Sequence, residues 1–322
     1  MISMRFDMRL GDVDARTAYA AALDMVEWAE APLAPFVVLS EHHGVEGGYL
    51  PAPGPLAAAM AARTTSTFIM IAATILPLHD PVRLAEDIAV IDHLSGGRVG
   101  WVFGLGYRPE EFALLDVPWA GRGQRMDHHL RVVLDALDGL DLETHGRPGS
   151  VRPAVAPRPQ LFVGGGSPHA ARRAARFGLG LLAQTDVGGL GELYAAECER
   201  LGVEPGMCLL PPPDLPSSVF VADDVDAAWD EIGPYLLHNA VDYARWNPGS
   251  TTTASLSQAS TVDELRADAG AYRIVTVEEA VVMARTGTLA LHPMCGGIPP
   301  DVAWPYLRRV AEQVAPAVPA PG

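Results

Sequence analysis

Lysine is absent from this chain, so all 23 of its basic side chains are arginines. A Schiff base, a pyridoxal site and the phosphate contact of a P-loop each need a lysine, so these three enzyme classes are excluded. Cysteine is scarce as well. Cys198, Cys208 and Cys295 are odd in number and lack the spacing of metal ligands, which is typical of a protein from a reducing compartment.

Basic residues are also outnumbered by acidic ones, and the formal net charge is −16. Because nucleic-acid binding needs a basic face, we expect no nucleic-acid partner. The longest apolar run, residues 68–78, is too short to cross a bilayer, and charges interrupt the first ten residues where a signal peptide is apolar. We therefore expect a cytoplasmic protein with no membrane partner, in which a local site holds any anionic ligand.

Short apolar segments alternate with helical patterns along the chain. They predict eight buried strands, at residues 4–8, 36–40, 68–76, 98–104, 160–164, 179–183, 217–222 and 288–292. Strands that alternate with helices pair in parallel through right-handed crossovers. The sequence therefore predicts an α/β fold, a (β/α)8 TIM barrel with insertions at its carboxyl-terminal face. The alternative, an open doubly wound sheet, is disfavoured because its dinucleotide fingerprint is missing.

We expect residues 1–315 to form a single domain and residues 316–322 to form a frayed tail. Residues 138–158 are rich in proline, glycine and arginine and predict a small excursion before the fifth strand. Residues 247–261, NPGSTTTASLSQAST, are polar and of low complexity. They predict either a lid over the active-site face or a disordered surface loop.

Two adjacent histidines, His42 and His43, follow Glu41 at the end of the second predicted strand. The carboxyl end of a barrel strand is where barrel enzymes carry their chemistry. Neighbouring side chains of a strand point to opposite sides, so only one imidazole faces the barrel opening. This disfavours a two-histidine metal site, and we predict no metal. A single imidazole suits a general base, while a pair of structural histidines at the rim is the alternative left open.

A glycine-rich turn joins the fifth predicted strand to a helix. Gly164, Gly165 and Gly166 precede Ser167, a plausible N-cap, and Pro168, which suits the first helical position. Free amides and the positive end of the helix dipole favour an anion there, so we predict a phosphate site.

Other residues are candidates for the same region. Arg125 opens a helix and could join the phosphate site through its fork of donors. His79 lies at the end of the third predicted strand and could line a pocket. The aromatic side chains expected to shape a substrate pocket are Tyr49, Trp101 and Tyr107.

Three segments together resemble the luciferase-like flavin monooxygenases, a family that includes bacterial luciferase and F420-dependent reductases. They are EHH at 41–43, AATILPLHDPVRLAEDIAVIDHLSGGR at 72–98 and GGGSPHAARRAARFG at 164–178. The resemblance implies a TIM barrel that binds FMN or F420 at its carboxyl-terminal opening. It implies that His42 is an active-site base with His43 beside it.

The resemblance also implies positions for the cofactor. A non-prolyl cis peptide is expected at Ala72–Ala73, against the flavin ring, and the phosphate is expected at Gly166, Ser167 and Arg125. Gly104 takes the position of a reactive cysteine in luciferase, so no thiol chemistry is expected there.

The function implied is a two-component monooxygenase that uses reduced FMN, supplied by a partner flavin reductase, and O2 on a small organic substrate. One alternative is an F420-dependent oxidoreductase that transfers hydride to or from such a substrate. A second is a non-catalytic flavin-binding subunit, and a third is a metal-dependent hydrolase on the same fold. Because members of the resembled family are commonly dimers, we expect a homodimer.

Overall fold

The structure is a computed structural model that describes residues 1–144, 147–250 and 254–318. Its strands are β1 (Ile2–Phe6), β2 (Phe36–Leu39), β3 (Ile69–Ile75), β4 (Val99–Gly104), β5 (Leu142–Thr144), β6 (Arg147–Gly149), β7 (Leu161–Gly164), β8 (Gly180–Leu182), β9 (Cys208–Leu209), β10 (Ser218–Val221), β11 (Tyr272–Val275) and β12 (Leu289–Leu291). Its α-helices are α1 (Ala15–Leu33), α2 (Pro53–Arg63), α3 (Pro81–Ser95), α4 (Pro109–Leu114), α5 (Arg122–Leu137), α6 (Pro168–Phe177), α7 (Leu190–Leu201), α8 (Val225–Trp246), α9 (Val262–Asp268), α10 (Val277–Thr286) and α11 (Pro300–Arg309).

Ten strands form one parallel sheet in the order β11-β10-β12-β1-β2-β3-β4-β7-β8-β9. The last strand, β12, pairs with β1, and β1 pairs with β2, so the first and the last strand of the chain lie side by side, as they do in a barrel. The eight predicted strands all appear, as β1, β2, β3, β4, β7, β8, β10 and β12. The fold is therefore the predicted α/β TIM barrel with insertions.

The structure departs from the predicted strands in three places. β1 lies at Ile2–Phe6 and not at 4–8, since its charged residues obscure the boundary. β9 and β11 stand at the two ends of the parallel sheet, and the apolar pattern predicted neither of these short strands, of two and four residues. The predicted excursion at 138–158 contains the antiparallel pair β5 and β6, with residues 145 and 146 outside the described part.

Local sequence signals explain where the helices begin and end. Asp80 accepts a hydrogen bond from the backbone N–H of Arg83 and caps α3, and Pro81 occupies its first turn. Gly96 ends this helix in the left-handed conformation, with φ 65°. Ser167 caps α6 in the same way as Asp80 caps α3, by accepting from the N–H of Ala170. These caps fix the strand-to-helix turns that surround the opening of the barrel.

The two faces of the strands pack into two different apolar layers. A small cluster around Met70, Val102 and Phe162 contains side chains from the strands and their ends only, which identifies it as the barrel interior. The large core packs the opposite faces of the strands against the helices, and it includes Trp101 and Phe103. Neighbouring residues of β4 therefore face opposite layers, as strand geometry requires. Within the described residues, no helix is both long and apolar enough to span a membrane.

Candidate active site

A cavity of about 380 Å³ lies at the carboxyl ends of the barrel strands. This volume falls in the range of about 300–1,000 Å³ that small-molecule sites occupy. The lining residues are Arg5, Ser40, Glu41, His42, Ala72, Ala73, Ile75, Val102, Gly104, Leu105, Gly106, Tyr107, Gly164, Gly165, Gly166, Leu182, Gln184, Tyr243, Asn247 and Ser250. The cavity therefore lies at the end of the barrel where barrel enzymes have their active sites.

Small residues from three neighbouring strands form one wall of the cavity. The peptide bond between Ala72 and Ala73 is cis, as expected from the resemblance. A Cβ atom added at Gly104 would lie 3.0 Å from the Cβ of Ala73, and one added at Gly164 would lie 2.8 Å from Val102 Cγ1. The wall therefore has no room for side chains on these glycines. It presents a flat surface that suits a planar ring system such as a flavin.

His42 lies in a chain of hydrogen bonds at the edge of this wall. Its Nδ1 donates to Glu111 Oε1 at 2.7 Å, and its Nε2 lies 2.9 Å from the hydroxyl of Tyr107. Because an ionised carboxylate only accepts, Glu111 holds the proton on Nδ1 and leaves Nε2 free to accept a proton. Burial lowers the pKa of His42, and Glu111 partly opposes that effect. The imidazole is therefore a neutral base facing the cavity.

Glu111 itself is fixed by further hydrogen bonds besides the one from His42. Its Oε1 also accepts from the backbone N–H of His43 and from Arg108 Nη1, each at 3.0 Å, and its side chain is fully buried. Glu111 was not predicted as a site residue. The one sequence signal for its role in orienting His42 is its position on α4, after the fourth predicted strand. In the structure α4 folds back over the end of β2, and Glu111 therefore reaches His42.

His43 points away from the cavity, as the alternation of strand side chains predicts. Its Nε2 donates to Glu41 Oε1 at 2.8 Å, and His79 Nε2 donates to the same oxygen at 2.8 Å. Burial raises the pKa of Glu41, but the two hydrogen bonds outweigh it and bring that pKa down to about 2. Burial lowers the pKa of His79, but Glu41 raises it above the ordinary value of 6.5. Glu41 therefore ties the end of β2 to the end of β3.

The opposite side of the cavity carries a network of hydroxyl groups around Arg5. Arg5 Nη2 donates to the hydroxyl of Tyr243 at 2.8 Å and lies 3.5 Å from Ser40 Oγ. The hydroxyl of Tyr49 bridges Tyr243 at 2.8 Å and Ser40 at 3.1 Å. Tyr49 is buried behind the lining residues, so it supports the pocket that it was predicted to line.

The polar segment 247–261 begins at the end of α8 and borders the cavity. Asn247 and Ser250 belong to the lining, and Ser255 and Ser257 are buried. Ser255 Oγ accepts from Arg5 Nη1 at 3.0 Å. Residues 251–253 lie outside the described part of the chain. The described part of this segment thus packs against the barrel at the border of the cavity, and its role as a lid stays a prediction.

The glycine-rich turn and Arg125 lie in different places. Gly164, Gly165 and Gly166 line the cavity, with Ser167 next to them as the cap of α6. Arg125 lines a second cavity of about 610 Å³, and its Nη1 donates to the carbonyl of Pro118 at 2.8 Å. The reason is that Arg125 faces the α3 side of α5, whereas Asp127 on another face of α5 pairs with Arg173 of α6. The structure therefore does not bring Arg125 to the glycine turn.

Two predicted pocket residues also lie elsewhere. Trp101 belongs to the core between strands and helices, 3.6 Å from the position that a Cβ of Gly54 in α2 would occupy. The prediction for Trp101 was wrong because Gly104, on the same strand, has the opposite parity and faces the cavity. His79 borders the second cavity and reaches the first only through Glu41. Tyr107 does line the cavity, as predicted.

A second set of buried polar groups lies below the cavity. Ser218 Oγ is 3.0 Å from His292 Nδ1, and His292 Nε2 is 3.2 Å from Asp7 Oδ2. The order of these groups resembles a hydrolase triad, but all three are buried, and none lines the cavity. Their contacts connect the ends of β1 and β12 with the start of β10. Within the described residues, no group of three or more histidine, cysteine or acidic side chains is arranged so that it could hold a metal ion.

Comparisons with known proteins agree with this geometry. The family model described as luciferase-like monooxygenase matches residues 3–289. A luciferase-like monooxygenase of Escherichia coli K12 is 28% identical over 169 residues, which are 51% of this chain and 49% of that protein. The chain spans about half the length of the curated relatives it matches.

Solved structures share the fold over nearly the whole chain. The oxygenating constituent of 3,6-diketocamphane monooxygenase from a Pseudomonas putida plasmid, in complex with FMN, has a TM-score of 0.71 and 17% identity and covers 99% of both chains. An F420-dependent secondary alcohol dehydrogenase in complex with an F420-acetone adduct has a TM-score of 0.67 and 14% identity, again over 99% of both chains. With the family model spanning most of its length, the chain belongs to the luciferase-like monooxygenase family.

Proposed function

We propose that this protein is a two-component monooxygenase that acts with reduced FMN and O2 on a small organic substrate. The observation that carries the proposal is the chain from Glu111 through His42 to Tyr107 beside a flat wall of alanines and glycines. The wall accepts a planar ring, and this chain of hydrogen bonds supplies one base, His42, at the edge of the wall. When bound, reduced FMN supplies the electrons with which O2 is activated, and a flavin reductase supplies the reduced FMN.

The residues at the site have separate tasks in this proposal. Glu111 fixes the imidazole tautomer, so His42 Nε2 accepts the proton released by substrate or cofactor. The Tyr107 hydroxyl lies 2.9 Å from this nitrogen and also lines the cavity, so it can take the proton from the substrate or cofactor as it gives its own proton to Nε2. Burial raises the pKa of Tyr107, so the hydroxyl stays protonated and acts as a donor at neutral pH.

Other lining groups bind and shield. The amides of the turn at Gly164–Gly166 and the start of α6 suit the phosphate of FMN, by the general affinity of helix N-termini for anions. Asn247 and Ser250 cover the cavity from the α8 side. Exclusion of water at such a site protects reactive species from hydrolysis.

A second candidate is F420-dependent hydride transfer on the same fold. The Tyr107 hydroxyl and His42 Nε2, which lie 2.9 Å apart, form a proton donor and acceptor suited to the oxygen of an alcohol or a ketone. Hydride transfer to a carbonyl needs such a group, whereas it needs no O2.

The first experiment titrates purified protein with reduced FMN and with reduced F420, then mixes each complex with O2-saturated buffer. For the monooxygenase we expect FMN to bind and its absorbance after mixing to follow a course distinct from that of free FMN. His42→Ala should change the rate of this reaction by about 10²-fold or more, since general base catalysis is of that size. His128→Ala, at an exposed position of α5, is the matched control.

The other outcomes separate the alternatives. Binding of F420 alone, with no reaction on mixing with O2, would replace the monooxygenase with the hydride-transfer enzyme. Binding of FMN with oxidation indistinguishable from that of free FMN, in both wild type and His42→Ala, would indicate a non-catalytic flavin-binding subunit. A mass measurement in solution tests the homodimer that we also propose.

A further inference from the structure

Arg5 is a cation in the lining of the active-site cavity, and its hydrogen-bond partners among the described residues are neutral. Its Nη1 donates to Ser255, and its Nη2 donates to Tyr243 and lies near Ser40. Its Nε is buried and has no hydrogen-bond partner in the part of the chain that the structure describes. Across the described residues, no carboxylate lies within 4.0 Å of this guanidinium.

Two neighbouring arginines, which are more deeply buried than the half-buried Arg5, each pair with a carboxylate. Arg9 donates to Asp242 at 2.6 Å and lies 3.7 Å from Asp7. Arg108 pairs with Glu111 at 3.0 Å. Each of these guanidinium groups has a carboxylate of its own, which is the usual condition for burying a charge.

Asp7 is the acid nearest to Arg5 in the sequence, and it is already engaged. Its Oδ1 accepts from the backbone N–H of Arg9, and its Oδ2 lies 3.2 Å from His292. Arginine does not lose its proton in proteins, so the charge of Arg5 persists at every working pH. The cavity therefore contains a fixed positive charge that no carboxylate of the described residues contacts within 4.0 Å, although Asp7 acts on it through space.

We propose that Arg5 binds an anionic group of the substrate, so that the substrate class is a small organic carboxylate. The hydroxyls of Ser40 and Tyr243, which surround the guanidinium, can turn to donate to the same carboxylate. Arg5 lies on β1 and the flat wall on β3, β4 and β7, so a substrate held by Arg5 faces a ring placed on that wall. This inference rests on the proposed function for the identity of the site as catalytic, but not for the binding of the anion.

A reduced flavin ring is a second possible source of negative charge, and the test distinguishes it. Benzoate and its neutral isostere benzamide are titrated into protein free of flavin, and binding is followed by calorimetry. Oxidised and reduced FMN are titrated separately. The variants are Arg5→Gln, which removes the charge, Arg5→Lys, which keeps it, and Arg16→Gln, an exposed control on α1.

We expect wild type to bind benzoate at least ten times more tightly than benzamide. Arg5→Gln should abolish this preference, Arg5→Lys should retain part of it, and Arg16→Gln should leave it unchanged. The preference in wild type needs no variant, so it remains a test even if Arg5→Gln fails to fold, which a thermal melt reports.

Equal binding of benzoate and benzamide by wild type would overturn the inference. So would an effect of Arg5→Gln confined to reduced FMN, because the counter-ion would then be the flavin ring. Failure of FMN to bind would count against the proposed function alone, since the benzoate titration contains no flavin.

Discussion

At the scale of single residues, Glu111 has the largest expected effect. Glu111→Gln keeps the shape of the side chain but leaves Arg108 as a buried cation without a partner. Removal of one member of a buried pair destabilises by about 3–5 kcal/mol, and we expect a loss of that order in the free energy of unfolding. Because the carboxylate raises the pKa of His42, the variant should lower that pKa further, as an NMR titration of the imidazole would show.

The neighbouring substitution Glu110→Gln is the control, since Glu110 is exposed on the same helix. An unchanged His42 titration in Glu111→Gln would contradict the role assigned to this carboxylate. Equal destabilisation by the two variants would contradict the importance of the pair with Arg108.

The glycine at position 104 gives a second residue-scale prediction. In Gly104→Ala the new methyl group would lie 3.0 Å from the Cβ of Ala73, so the wall must move by a few tenths of an ångström. We expect a destabilisation of about 1–3 kcal/mol, as for other overpacked sites, and weaker FMN binding in a fluorescence titration. Gly188→Ala is the control, because a Cβ there meets nothing within 4 Å. Undiminished FMN affinity in Gly104→Ala would place the ring elsewhere.

At the scale of secondary-structure elements, Glu41 joins the ends of β2 and β3 through His43 and His79. The depressed pKa of Glu41, about 2 against an ordinary 4.5, contributes stability above pH 4.5 that is lost as the pH falls through 2. The raised pKa of His79 contributes stability below pH 6.5 that is lost as the pH rises through its folded pKa. Both contributions are fully present between pH 4.5 and pH 6.5.

Glu41→Gln should therefore cost most within that window. We expect about 2–3 kcal/mol at pH 5.5, the usual contribution of a hydrogen bond to a charged group, and a smaller cost above pH 8. Urea unfolding at pH 5.5 and at several values above pH 8 measures the difference, with Glu46→Gln as an exposed control. A cost that is the same at every pH would show that packing, and not charge, is what the variant removes.

Strand alternation determined which site predictions succeeded. Alternation continued beyond Leu39, where β2 ends, correctly placed only one of His42 and His43 in the cavity lining, and the same rule on β4 would have excluded Trp101 once Gly104 was assigned to the site. On β1, Arg5 lies between Met4 and Phe6, which belong to the large core between the strands and the helices. A charge between two buried apolar residues is the signal that the sequence offered for an arginine inside the barrel.

Contacts between distant segments could not be predicted in this way. Glu111 reaches His42 because α4 folds over the end of β2, and Tyr243 reaches Arg5 because the last turns of α8 lie over β1. The prediction that Arg125 joins the phosphate site failed for a similar reason. The spacing of residues along α5 does not determine which neighbouring helix each face of α5 contacts. The positions of the eight predicted strands and the caps of α3 and α6 depend on local signals, and these predictions were confirmed.

At the scale of the whole molecule, the net charge of −16 opposes the binding of every anionic ligand proposed above. FMN carries a phosphate, so at low ionic strength the field of the protein should slow its approach. Raising the ionic strength from about 10 mM to about 150 mM shortens the screening length from about 30 Å to about 8 Å. We expect the association rate of FMN, measured by stopped-flow fluorescence, to rise by up to about tenfold over this range. Riboflavin lacks the phosphate and should change little. A fall in the FMN rate with salt would mean that arginines near the opening, Arg5 among them, dominate the field that an incoming anion meets, in spite of the excess of acidic residues elsewhere.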